Sequence, residues 1–155
     1  MRNIYLASSW RNPHQPRVVG LLRSDGHVVY DFRHPGPGDD GFAWSDIDST
    51  WQEWAPIRFR RALTHPLAEA GFRSDFGAME RADTCVLLLP CGRSAHLEAG
   101  YFCGAGKEVF IVLDALNEPE LMYKMATHIC VDISELREKL SIATEANLNG
   151  MAEVR

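Results

Sequence analysis

Four short apolar runs rich in β-branched or aromatic residues punctuate the chain, at 4–7, 27–32, 85–89 and 109–113, and a fifth stands at 129–133. Each run is continuous rather than alternating, the pattern of a strand buried on both faces. Between them lie segments suited to helices, at 15–24, 51–70, 75–82, 95–105, 119–125 and 134–143. Strands alternating with helices predict an α/β domain: a parallel sheet covered on both sides, in three layers. The punctuation agrees with this reading. Gly26 follows the first helix, Gly106 closes the 95–105 helix before Lys107, and Ser134 precedes the last helix with Arg137 and Lys139 towards its other end.

One stretch breaks the rhythm. Residues 33–50 hold Pro35, Gly36, Pro37, Gly38, Asp39, Asp40 and Gly41, followed by Phe42 and Trp44, with Trp51 just beyond. This connection is too long for a tight turn. An aromatic loop of that length reads as a lid over a ligand, or more plainly as a flap covering core or a subunit contact.

Composition narrows the class. The 155 residues, 46% of them hydrophobic, suffice for one domain spanning 1–155 with a single core. Sixteen basic against 21 acidic residues leave a net charge of −5, which does not favour a nucleic-acid partner. Arg58, Arg60 and Arg61 read as one basic helix face. No apolar run approaches the roughly 20 residues of a bilayer span, and the opening Met1 to Leu6 is short for a secretion signal. A membrane partner is therefore not expected, and the expected location is the cytoplasm. The four cysteines form no C-x-x-C pair; they read as free buried thiols, and Cys91, His96 and Cys103 fit no zinc spacing, so no metal is expected.

Ligands of open parallel sheets bind beyond the carboxyl ends of the strands. That rule selects Ala7-Ser8-Ser9-Trp10-Arg11 after the first strand and Pro90 to Glu98 after the third. Both combine small residues and hydroxyls with arginine, which suits a polar small molecule. Neither is a Walker loop or a G-x-G-x-x-G turn, so a triphosphate or dinucleotide has no motif here. Glu98 lies about one turn into a helix opened by Ser94, and Ala99, Gly100, Cys103 and Gly104 let that helix lie close to the sheet. Its plainer reading is a first-turn acid complementing the helix dipole, worth about 0.3–1 kcal/mol. Asp75, after Ser74, reads equally as a capping or first-turn acid. His96, between Ala95 and Leu97, reads as a helix-face residue packed near the lid before it reads as a base.

Three segments in order carry a resemblance: Ile4-Tyr5-Leu6-Ala7-Ser8-Ser9-Trp10, the stretch from Asp75 to Asp83 before a buried strand, and Ser94-Ala95-His96-Leu97-Glu98-Ala99-Gly100-Tyr101 ending in Gly106-Lys107. Together they resemble the nucleoside 2-deoxyribosyltransferase family over most of the chain, and Pro119-Glu120-Leu121-Met122 has a counterpart in its late helix. The resemblance implies a flavodoxin- or Rossmann-like three-layer sandwich around a central parallel five-stranded sheet. It implies an enzyme that breaks or exchanges the N-glycosidic bond of a nucleoside or nucleotide. Glu98 then attacks the anomeric carbon, Asp75 is the acid/base or base-binding group, and Tyr5 orients the nucleophile. No organic cofactor is implied, and a homo-oligomer is, since family pockets are completed by a neighbour.

The chain also departs from the family pattern. Six residues before the nucleophile the transferases hold an aspartate where Gly92 stands, and their late-helix asparagine is Glu120 here. The tail Met151 to Arg155 lacks their aromatic carboxyl terminus. These departures favour hydrolysis over transfer. Related nucleotide hydrolases bind a 5′-phosphate with serines and backbone N–H groups, a role open to Ser8, Ser9, Arg11, Arg93 and Ser94, whereas Glu120 would repel a phosphate if it reached the same pocket. Trp10, Phe42, Trp44 and Trp51 are candidates to stack on a base. The rival readings are a nucleotide sensor without turnover and a glutamate-dependent NAD-cleaving enzyme.

Overall fold

A computed structural model describes residues 1–113 and 119–141. Five strands form one all-parallel sheet: β1 (Asn3–Ala7), β2 (Val28–Tyr30), β3 (Thr84–Leu88), β4 (Glu108–Val112) and β5 (His128–Cys130), in the order β2-β1-β3-β4-β5. The order is flavodoxin-like, and the α/β sandwich expected from the sequence is the fold observed. Helix α1 (Gln15–Ser24) connects β1 to β2, and α4 (Arg93–Gly104) connects β3 to β4. Residues 133–141 are helical (α5). By their contacts the described residues form two units, one of Met1–Tyr30 with the chain from Ala82 onward, the other Asp31–Arg81.

In the first unit the strand period of two decides which side chains meet which helix. Ile4, Leu6, Val86, Leu88, Phe110 and Val112 point to one face, where Val18, Val19 and Leu22 of α1 and Leu136 and Leu140 of α5 complete a core. Several of these are wholly buried, each worth about 1.5–3 kcal/mol relative to exposure. The intervening residues, Tyr5, Cys85, Leu87, Val109 and Ile111, are buried on the other face. Gly26 and Gly106, with φ of 85° and 69°, stand just beyond the C-caps of α1 and α4, in the left-handed conformation that side chains resist.

The second unit contains α2 (Pro56–Ala62) and α3 (Pro66–Arg81), preceded by two short 3₁₀ turns at Trp44–Asp46 and Trp51–Glu53. Asp48 organises it. Its carboxylate accepts from Trp54 Nε1 (2.8 Å), from the Thr50 backbone and hydroxyl (2.9 and 2.8 Å) and from Arg58 (2.5 Å). These bonds, that of Trp54 first, hold it well below the usual carboxylate range. The ring of Trp44 packs edge-on against Phe42, Trp54 and Phe59, with centroids 4.8–5.7 Å apart.

Several expected boundaries are corrected. The helix read at 51–70 is a 3₁₀ turn, α2 and the start of α3, because Pro66 at a first-turn position restarts the helix and His65 Nδ1 accepts from the Leu67 N–H (3.2 Å). The break expected between 70 and 75 is absent: α3 runs through Gly71, where a Cβ would come within 2.7 Å of Phe42 Cβ, so this glycine serves close packing. Asp75 is consequently interior to α3, away from its first turn. Helix α4 opens at Arg93 with Gly92 at its N-cap, so Glu98 lies in its second turn and Ser94 is not the cap. Strand β5 ends at Cys130 because Asp132, in place of Ser134, caps α5: its Oδ1 accepts from Glu135 N–H (2.8 Å), and Glu135 accepts from Val131 N–H (2.8 Å). Strand β2 is shorter than the run 27–32. Tyr5 is central in β1 rather than at its end. The described part of the last helix stops at 141; positions 142–143 and the tail from Met151 lie outside the described residues.

Candidate active site

The winding direction of the sheet reverses between β1 and β3, so the loops leaving their carboxyl ends part there and leave a crevice. Two neutral side chains lace those loops. Ser8 Oγ donates to the Leu88 carbonyl (3.0 Å) and accepts from Asn12 Nδ2 (3.1 Å), which also lies 3.3 Å from the Pro90 carbonyl. Asn12 is wholly buried, and its Oδ1 accepts from the His14 N–H (2.9 Å). Sequence reading missed this residue; the one signal was an Asn-Pro dipeptide, which marks a turn and no more. Ser9 Oγ accepts from the Arg11 N–H (3.1 Å), shaping the same turn.

Helix α4 begins directly after the β3 loop. Ala95, Ala99 and Phe102 form its buried stripe, and Glu98, three residues after the first and four before the last, stands on the sheet side, half-buried. Tyr5 belongs to the same sheet face. It is 1% exposed, stacks on Tyr30 (centroids 5.4 Å, 13° between planes) and meets Phe102 at 5.8 Å. In the β1–β3 register Tyr5 is paired with Cys85. The Cys85 thiol is pushed up by burial and then by the negative charge of Glu98. Cys91 is pushed up to about 12, again by burial first and Glu98 second. The carboxylate therefore lies within electrostatic reach of both thiols. Cys91 therefore stays protonated at neutral pH. All four cysteines are free; contrary to the expectation of burial throughout, Cys91 and Cys103 are only half-buried.

Across the loop, His96 Nδ1 lies 2.9 Å from the Gly92 carbonyl and its Nε2 3.0 Å from the Tyr123 hydroxyl. Tyr123 belongs to the 3₁₀ turn Leu121–Met125, which follows β4, and no sequence signal marked it.

The remaining candidates divide between the units. Trp10, Arg11, Gly92, Arg93 and Ser94 are exposed at the carboxyl ends of β1 and β3, and among the described residues neither Arg11 nor Arg93 has a side-chain partner. A Cβ at Gly92 would meet nothing within 4 Å, so a larger residue fits there. Glu120, exposed, precedes the Leu121–Met125 turn, and its charge is felt by the Tyr123 phenol. Asp75 and Trp44 belong to the second unit, Asp75 half-buried on α3 and Trp44 within its aromatic cluster. Among the described residues no helix is long and apolar enough to cross a membrane.

No protein-family model matches the sequence, and neither does any curated protein. Solved structures do match. The CMP N-glycosidase of Clostridium botulinum is similar at a TM-score of 0.48 and 16% identity, over 89% of this chain and 97% of that one. The 2-deoxyribosyltransferase of Bacillus psychrosaccharolyticus is similar at a TM-score of 0.62 and 19% identity, over 86% of this chain and 89% of that one. The second likeness spans most of both chains, and it shows that this protein has the fold of a nucleoside 2-deoxyribosyltransferase.

Proposed function

We propose that this protein breaks the N-glycosidic bond of a nucleoside or nucleotide through Glu98, passing the sugar to water in preference to a second base. The observation that carries the reading is the half-buried carboxylate of Glu98 on the sheet side of α4, beyond the carboxyl end of β3, in the fold of a deoxyribosyltransferase. A carboxylate there suits the chemistry. As the bond from C1′ to the base breaks, its electron pair leaves with the base, positive character builds on the sugar, and Glu98 traps C1′ as an ester. Water then attacks C1′, giving its proton to the group that protonated the leaving base, which releases the sugar and restores both carboxyl groups. Asp75 is assigned the proton delivered to the leaving base from its position in the motif, and Tyr5 the orientation of Glu98 from its place on the same sheet face.

The crevice between the β1 and β3 loops supplies the binding groups: Ser9, Trp10, Arg11, Arg93, Ser94 and the backbone at Gly92, with Ser8 holding the loops. Trp44 is assigned a stacking role from its place in the aromatic segment of the sequence alone. Glu120 is a candidate contact to the sugar. The electrophile is in the substrate, so the reaction asks for no cofactor. We further propose a homo-oligomer working in the cytoplasm, a small molecule as partner and no role for nucleic acid.

The test is release of free base from ribo- and deoxynucleosides, their 5′-monophosphates and NAD, by wild type and Glu98→Ala, with and without a second base. Wild type releases base from at least one substrate, and Glu98→Ala loses at least about a thousandfold in kcat. A new nucleoside formed with the second base moves the reading to transfer. If nothing turns over while one ligand raises Tm equally in both proteins, the protein is a nucleotide sensor and the catalytic reading is overturned.

A further inference from the structure

Among the described residues, the loops that follow β3 and β4 are joined by a pair of side chains whose protons can be assigned. His96 Nδ1 faces the Gly92 carbonyl at 2.9 Å. A carbonyl only accepts, so Nδ1 carries the hydrogen, and in the neutral imidazole Nε2 is left as an acceptor. The Tyr123 hydroxyl, 3.0 Å from Nε2, therefore donates. Burial, the Cys91 thiol and Glu120 all push the Tyr123 phenol up, which keeps its proton in place. The two rings also stack, with centroids 5.9 Å apart and 17° between planes. The Cys91 sulfur, 3.6 Å from Nδ1, closes the cluster.

The two sides of this clasp differ in what else holds them. Helix α4 is anchored by Ala95, Ala99 and Phe102 and does not need His96, which is exposed. The 3₁₀ turn Leu121–Met125 has no buried residue and no side-chain cap, and Leu121 and Met122 are 77% and 65% exposed. Among the described residues, Tyr123 makes its one side-chain hydrogen bond to the rest of the protein. His96 thus gives the turn a side-chain tie to α4, and the Cys91 sulfur that completes the cluster lies within electrostatic reach of Glu98.

We propose that His96 and Tyr123 are positioning residues, holding the 119–125 segment as a fixed wall of the substrate site beside Glu98. The proposal rests on the reading of Glu98 as nucleophile. It acts on binding and orientation of the substrate, since neither ring is assigned a bond to the reacting atoms.

Three variants test it, with the substrate from which wild type releases base most rapidly. Tyr123→Phe keeps the stacked ring but removes the donor. His96→Leu removes both bonds, and His96→Gln offers one donor to the Gly92 carbonyl and one acceptor to Tyr123. Tyr123→Phe and His96→Leu raise KM about tenfold with kcat within about twofold, and His96→Gln restores KM to within about threefold of wild type. The ¹⁵N shifts of the His96 ring in wild type report the hydrogen on Nδ1. An unchanged KM in Tyr123→Phe, a lowered Tm with unchanged KM, or a hydrogen found on Nε2 overturns the clasp. If Glu98→Ala abolishes turnover in the same assay while Tyr123→Phe matches wild type, the clasp alone fails. Absence of turnover by wild type brings down the Glu98 reading and this proposal with it.

Discussion

The two ends of the sheet are held by different kinds of group. At the amino ends, charges are set against one another: Arg2 Nη1 donates to Thr84 Oγ1 (2.9 Å) and pairs with Glu108, while Thr84 donates to Asp83 (2.7 Å). Asp83 in turn accepts from the Asn3 N–H (3.1 Å). Lys107 donates to the Ala82 carbonyl (2.7 Å) and stands over the Phe102 ring. At the carboxyl ends the lacing is neutral, made by Ser8, Asn12, His96 and Tyr123, and the guanidinium groups of Arg11 and Arg93 have no side-chain partner among the described residues. A charge already paired gains little from a ligand, because the existing pair must be broken first. Structural work done by uncharged hydrogen bonds leaves the charged groups of the crevice available to a bound molecule.

The largest expected effect tests the functional end directly. Glu98→Gln removes the carboxylate's charge while keeping its shape, and on the proposed mechanism loses at least about a thousandfold in base release. Its Tm stays within about 2 °C of wild type, and the Cys91 thiol, freed of that charge, titrates lower, which a thiol-reactivity profile against pH reads out.

At the amino end the expectation is reversed. Arg2→Met leaves Glu108, 37% exposed, without its partner and costs about 2 kcal/mol in urea unfolding, less than a fully buried pair because water reaches the carboxylate. Its kcat/KM stays within about twofold of wild type; a loss parallel to that of Glu98→Gln would show that the two ends are coupled.

Asn12→Ala sharpens the contrast, because it strips the Ser8 hydroxyl, the Pro90 carbonyl and the His14 N–H of one shared partner. We expect a loss of about 1.5 kcal/mol together with a several-fold fall in kcat/KM, the pairing of effects that Arg2→Met lacks. Stability without any kinetic change would make Asn12 a turn residue only.

The smallest effect concerns pH. His27 accepts from the Arg2 N–H (3.3 Å), and burial, followed by the positive amino terminus, holds it below its ordinary value of 6.5. In the window between the folded value and 6.5 the unfolded chain binds more protons, so stability is full above that window and declines as pH falls through it. Urea midpoints between pH 5 and 8 should slope in this sense, and His27→Gln should flatten the slope.

Much of the architecture was legible without coordinates. Each apolar run contained the core of an observed strand, and Gly26 and Gly106 marked helix ends because only a residue without a side chain enters the left-handed region easily. The errors clustered where a side chain from elsewhere decided the outcome. The gap expected between 70 and 75 is filled because Gly71 lets α3 pass close to Phe42, distant in sequence, and Ser134 gives way as a cap to Asp132, which lies in a run that reads as strand. Glu98 and Tyr5 are singled out by motif order, whereas Asn12 and Tyr123 are not, since what they hold depends on the partners that folding brings to them.

The sequence by itself determined the class of fold, through continuous apolar runs that are short and rich in β-branched and aromatic residues and so read as strands buried on both faces, and it determined which loops were worth searching. Tertiary structure alone decided that Glu98 and Tyr5 share one face of the sheet, that Cys91 stays protonated beside the carboxylate, and that His96 accepts from Tyr123. The physical reason is range. Periodicity and caps act over a few residues, while the electrostatics and hydrogen-bond directions of a site depend on groups 80 or more positions apart, as between Ser8 and Leu88, and exist only once the chain has closed.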